Sequence, residues 1–325
     1  MTQLPEVVLG RGDYSAGGAR SQPFLDLDGA RRRRPMVFGE VLGDASRCGP
    51  LAASMFSGRA SDPAEWAVMW REVGADGVCL RLDGLSAEGA AALVQEASDR
   101  TRLPVAISGD PGVLAHVSSE VCGTVLAVIG GDSSADVHAP ASPVSSVGEA
   151  EALPPRANRM LLVSGRFPER APYELVRDIR ARGLAGDERL AAPIVFDATP
   201  AWDGGFPDAR AASMAEAESA LAAMLCGADA LIVRGPGAAD MARVYGEELA
   251  DLRYHAALLR PLHLRRPPPG DAGGPRLRRR RPRLGAGEHA PRLREGRRHG
   301  PGPALARRGD GRGVRPRGGP RVRLP

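Results

Sequence analysis

From residue 36 onward the chain alternates short apolar runs with longer stretches of helical period. The runs are MVFGEVL (36–42), GVCLRL (77–82), PVAIS (104–108), TVLAVIG (124–130), VHAPA (137–141), NRMLLVSG (158–165), PIVFDA (193–198) and ALIVRG (230–235). Several are apolar throughout, as strands covered on both faces must be. Between them lie segments whose apolar residues recur every three or four positions, at 62–74, 86–98, 112–120, 147–153, 171–183, 213–227 and 238–252. Strands separated by helices of this length pair in parallel, because each helix carries the chain back to the start of the next strand. Eight strands with seven such helices predict an α/β fold, a (β/α)8 barrel.

Local signals sharpen some boundaries. In DPAEWAVMWREVG (62–74), Asp62 suits an N-cap, Pro63 the first helical position and Gly74 the residue after the last turn. Trp66 with Trp70, and Leu221 with Leu225, are four apart, which predicts that each pair faces the strands. The pattern is weakest from Gly131 to Pro155. There the fifth strand rests on VHAPA alone, and one helix near residues 131–137 is expected to be missing. Residues 1–35 read as a polar lead-in, 36–252 as the barrel and 253–325 as a basic low-complexity tail.

The charge belongs mostly to that tail. The 325 residues carry a formal charge of +5, yet from Arg260 to Pro325 there are 20 Arg against 4 acids. The preceding body is therefore acidic, at about −11. An acidic body with no Lys anywhere argues against nucleic acid as a partner. From about His263 the segment has no aromatic residue and no Ile, Ser, Thr, Asn or Gln. Such a composition cannot bury enough surface to offset its ordering entropy, which predicts disorder. Arg, Pro, Gly and Ala are what GC-only codons encode, so the tail reads as GC-rich sequence translated out of frame or past its natural end.

Cys48, Cys79, Cys122 and Cys226 are widely separated, with no CxxC and no Cys/His ligand spacing. They read as buried thiols of a reducing compartment, with no iron-sulfur cluster and no other metal in this chain. No apolar run of about 18 residues occurs, so no membrane span is expected and the location is read as cytoplasmic. The glycines of GDPG (109–112) and at 130–131 lack the residues of a phosphate loop and read as turns.

Several strings match one family in order along the chain. They are Gly17-Gly18, Pro23-Phe24, LDGARRRRP (27–35), Glu40-Val41, DPAEWAVMWREVGADGVCLRL (62–82), PVAISG (104–109), GLAGDERLAAPIV (183–195) and GADALIVRGP (227–236). The set resembles the small (delta) subunit of the corrinoid iron-sulfur protein of the acetyl-CoA decarbonylase/synthase complex. The helix and loop that this family shows in mid-barrel are not found intact between Gly131 and Pro172. The resemblance implies a barrel that assists methyl transfer from a methyl-tetrahydrofolate-type donor to acetyl-CoA synthase. It implies a corrinoid (cobamide) held mainly by a larger corrinoid iron-sulfur subunit, with that subunit, a folate-type methyltransferase and acetyl-CoA synthase as partners. Two other readings stand beside it: a pterin-binding methyltransferase barrel, and a non-catalytic scaffold or decayed paralogue.

In such barrels the working residues follow the strands. Glu40, Asp83, Asp110, Ser164, Asp197, Thr199 and Arg234 hold those places. Of these, Glu40, Asp83, Asp110, Asp197, Thr199 and Arg234 are the expected cofactor-binding set. No nucleophile, base and orienting acid fall into a recognisable constellation, so no catalytic residue is assigned.

Overall fold

A computed structural model describes residues 4–9, 14–18, 33–121, 125–129, 139–154, 158–167 and 169–258. The chain opens with an antiparallel hairpin, β1 (Glu6–Leu9) and β2 (Tyr14–Gly17). Eight parallel strands follow: β3 (Met36–Leu42), β4 (Gly77–Arg81), β5 (Val105–Ser108), β6 (Val125–Ile129), β7 (Pro140–Pro143), β8 (Met160–Ser164), β9 (Ile194–Asp197) and β10 (Ala230–Val233). They pair in chain order and close where β10 pairs with both β9 and β3, so the expected (β/α)8 barrel is present. The fifth barrel strand, β7, is two to three residues later than its pattern indicated. It pairs with β6 through only two residue pairs.

The helices are α1 (Pro50–Ala53), α2 (Pro63–Val73), α3 (Ala87–Thr101), α4 (Pro111–Glu120), α5 (Val147–Ala152), α6 (Arg170–Ala185), α7 (Ala209–Cys226) and α8 (Pro236–Leu258). At α2 the anticipated caps are in place. The Asp62 carboxylate accepts the amide of Ala64 at 2.9 Å, and Gly74 takes a left-handed φ of 85° that ends the helix. The helix expected to be missing near 131–137, Cys122 and the tail beyond Leu258 lie outside the described residues.

One layer of core lies between barrel and helices. Trp66 and Trp70 are fully buried there, with the Phe56 ring tilted at 48° against that of Trp66, centroids 4.6 Å apart. Trp70 lies so close to β3 that a Cβ on Gly39 would come within 1.9 Å of its ring, and its indole N–H donates to the Glu40 carbonyl at 2.9 Å. Glycine at 39 is therefore what lets α2 seat its tryptophan on the strand that carries Glu40. On α7 the anticipated inward pair fails. Leu221 is half-buried and Leu225 is 54% exposed. The face of α7 turned inward is instead Ala212, Glu216, Ala217, Ala220, Ala223 and Met224. Small residues let the helix approach closely, and a stripe read from leucines alone missed that face.

A second apolar cluster fills the barrel interior, with Met36, Phe38, Cys79, Met160, Leu162, Val195 and Ile232. Val7, Leu9 and Ala16 of the hairpin join it, so β1 and β2 are no mere polar lead-in but carry apolar side chains into that core. The cause is a four-residue alternation, EVVL, too short to stand out as a strand signal.

Candidate ligand site at the barrel mouth

Glu40 leaves β3 pointing into the barrel and is 2% exposed. A carboxylate so buried needs partners. It has two arginines, one on each oxygen: Arg81 Nε at 3.0 Å on Oε1 and Arg234 Nε at 2.5 Å on Oε2. Arg81, at the end of β4, spends the rest of its guanidinium on neighbours, donating to Ser108 Oγ at 3.2 Å and to Asp197 Oδ2 at 2.7 Å. Asp197, last residue of β9, also accepts the amide and hydroxyl of Thr199 at 3.0 and 2.7 Å.

Arg234 differs from Arg81. Its Nε serves Glu40, and among the described residues its two terminal nitrogens make no hydrogen bond to the protein. Burial alone would lower the Arg234 guanidinium, but Glu40 holds it above its usual range. It stays charged, with a donor edge to spare.

These groups line a cavity of about 350 Å³ together with Leu42, Asp44, Arg47 and Asp83. The Asp83 side chain is half exposed, and its nearest cation, Arg47, stands 4.0 Å away. The lining thus offers acceptors on Asp83 and donors on Arg234. Every lining residue comes from the adjoining strands β9, β10, β3, β4 and β5 or the loops after them. Among the described residues the side formed by β6, β7 and β8 contributes none.

Of the expected set, Glu40, Asp83, Asp197, Thr199 and Arg234 are brought together. Asp110 is not. Its carboxylate accepts the Gly112 amide at 2.8 Å and caps α4, and it does not line the cavity. Ser164 is exposed and also outside it. Sequence reasoning missed Arg81, Ser108, Asp44 and Arg47. Arg81 carried a signal, since it sits two residues from Cys79 and so shares its barrel-facing side. Every basic residue in the chain is Arg, so the residue type alone does not single it out.

None of the described thiols lines the cavity. Burial pushes Cys79 up to about 12, while Cys48 and Cys226 are half-buried rather than buried. Among the described residues no cluster of three or more His, Cys, Asp or Glu could hold a metal ion. Among the same residues no helix is long and apolar enough to cross a membrane.

No protein-family model matches the chain, and no curated protein matches it. Solved structures resemble it in shape. Dihydropteroate synthase from Stenotrophomonas maltophilia is 15% identical, with 70% of this chain and 94% of that one covered and a TM-score of 0.47. The Coxiella burnetii enzyme, solved with pteroic acid, is 9% identical over 78% and 99%, at 0.49. That of Thermus thermophilus is 16% identical over 73% and 98%, at 0.45. These are loose likenesses. The fold itself is given by the strand pairing: a closed parallel (β/α)8 barrel with a charged pocket at its C-terminal mouth.

Proposed function

We propose that the mouth binds the pterin head of a reduced folate and that the chain serves methyl transfer. The observation that carries this is the half-used guanidinium of Arg234, fixed by Glu40 in a pocket of about 350 Å³ that also holds the loosely paired Asp83. A pterin ring presents N–H donors beside a carbonyl acceptor along one edge. Asp83 can accept from such donors, and Arg234 can donate to such a carbonyl. The volume is near the low end of small-molecule pockets, about 300–1,000 Å³, which suits a bicyclic ring.

A corrinoid does not fit inside this mouth. The macrocycle with its side chains is larger than the cavity, and among the described residues no His or Cys lines it. In the reading that the sequence resemblance favours, a cobamide would be carried by a larger corrinoid iron-sulfur subunit and meet this chain over the rim. A folate-type methyltransferase and acetyl-CoA synthase would be the further partners. The share of this chain is binding and exclusion of water, because its mouth carboxylates are tied to arginines or lie at the solvent edge.

The test is calorimetric titration of the full chain with 5-methyltetrahydrofolate. Binding is expected, with Arg234→Met and Asp83→Asn each weakening it about tenfold or more, as lost hydrogen bonds to charged groups do. Absence of binding at millimolar ligand sinks the pterin reading. Co-elution with a purified large corrinoid subunit tests the partner reading separately.

A further inference from the structure

Glu216 lies on α7, outside the mouth, and is 0% exposed. Its two oxygens take two consecutive backbone amides of the turn between β10 and α8: Oε1 accepts Arg234 N–H at 2.6 Å and Oε2 accepts Gly235 N–H at 2.7 Å. The same turn is packed to contact. A Cβ on Gly235 would come within 2.7 Å of Ser213 Oγ and 2.9 Å of Glu216 Oε2, so only glycine admits the carboxylate this close.

A neutral side chain of similar volume would fill this space without the cost of burying a carboxyl group. What a carboxyl group adds, protonated or not, is acceptor lone pairs on both oxygens, one oxygen for each amide, which the NH2 of an amide side chain lacks. The residue so gripped is Arg234, whose head is pinned at Nε by Glu40. One end of Arg234 is thus fixed through its amide and the other through its guanidinium. The direction of its unpartnered terminal nitrogens follows from those two anchors.

We infer that Glu216 is a positioning residue for the mouth: through the β10–α8 turn it sets where the free edge of Arg234 points, and so the affinity for the ligand that Arg234 contacts. The ligand half of this rests on the pterin reading; the turn half does not. Burial pushes the Glu216 carboxyl up to about 8, against the pull of the Arg234 and Gly235 amides, as expected for an acid held in place despite its desolvation.

Glu216→Gln leaves the volume but puts an amide NH2 against a backbone N–H. Hydrogen exchange at the Arg234 and Gly235 amides should then speed up about tenfold, with exchange in β4 and β5 unchanged. Affinity for 5-methyltetrahydrofolate should drop about tenfold, yet Glu216→Gln added to Arg234→Met should cost nothing further. In Glu216→Ala, formate should restore slow exchange at the two amides where sodium chloride of equal ionic strength does not. Unchanged exchange in the Gln variant, or an equal loss of affinity in both the wild-type and the Arg234→Met backgrounds, overturns the inference. If the wild-type chain binds no pterin, the proposed function falls, and exchange with formate rescue still decides whether Glu216 holds the turn. Should the Ala variant fail to fold, the Gln variant carries the exchange test alone.

Discussion

The two ends of the barrel use the same pair of residue types for opposite purposes. At the N-terminal end, where the strands begin, Arg180 of α6 ion-pairs with Asp229 just before β10, both side chains 1% exposed. Arg180 also donates to the Gly227 carbonyl at 2.7 Å, and Asp229 accepts the Ile194 amide at 2.7 Å. Arg34 holds Asp76 through both of its terminal nitrogens, and Asp76 takes the Val37 amide at 2.8 Å. Each of these carboxylates ties an arginine to a strand amide, and each pair fastens neighbouring strands at their first residues. At the mouth the arginines close on Glu40 and Asp197 instead, and Arg234 keeps two donors unspent. An arginine buried against backbone and carboxylate staples a fold, even where one nitrogen, as Arg180 Nη1, is left without a hydrogen bond away from the mouth cavity. One left half open is available to a ligand.

This contrast is broken most directly at the bottom. Asp229→Ala leaves the Arg180 charge buried without its partner, and a loss of about 3–5 kcal/mol is expected. Urea denaturation should record it, while ligand affinity of the surviving folded protein stays within about twofold, since Asp229 is distant from the lining residues in function and position. A fall in affinity as large as that of Arg234→Met would mean that the two ends are not separable.

A pH series sharpens the mouth side. In the unfolded chain Glu216 loses its proton near the ordinary value of 4.5, whereas in the fold burial holds the proton until about 8. Between those values the folded state binds the extra proton, so raising the pH favours unfolding. This contribution to stability is complete below about 4.5 and is lost as pH rises through about 8. The measurement is the denaturation midpoint from pH 5 to 8.5 in wild type and Glu216→Gln. Other groups titrate in both, so the expected sign lies in the difference: wild type should fall more steeply than the variant. Parallel curves would refute it.

How far the sequence reveals this molecule depends on the range of the forces involved. Strand and helix order could be read because apolar periodicity is a local record of burial, and α2 could be read to its caps because Asp62, Pro63 and Gly74 each act within one turn. The hairpin strands and β7 are hard to see because a strand of four residues is too short to separate from chance. The mouth was half legible. Position after a strand picked out Glu40, Asp197 and Arg234, but the bond from Arg81 to Asp197 spans 116 residues, and that from Arg234 to Glu40 spans 194. No local pattern encodes such a contact. Glu216 left no signal either, since a glutamate in an alanine-rich helix reads as a solvated face until the helix is seen to turn it inward.

Asp110 marks the limit of reasoning from position and supports the smallest of the predicted effects. It follows β5 just as Asp83 follows β4, and both are acids at strand ends. Only the structure separates them. Asp83 lines the cavity with its nearest cation 4.0 Å off, while Asp110 turns to its own helix and accepts the Gly112 amide at 2.8 Å, next to Pro111 at the first helical position. Asp110→Ala should therefore behave as the loss of a helix cap and nothing more, lowering stability by about 1 kcal/mol. Serine at 110 should recover most of that, because its hydroxyl can accept the same amide and prefers the same position. Pterin affinity should remain as in wild type for both substitutions, in contrast to Asp83→Asn. A tenfold loss of affinity in Asp110→Ala with unchanged stability would put Asp110 into the mouth after all and extend the binding surface beyond the ten residues that line the cavity.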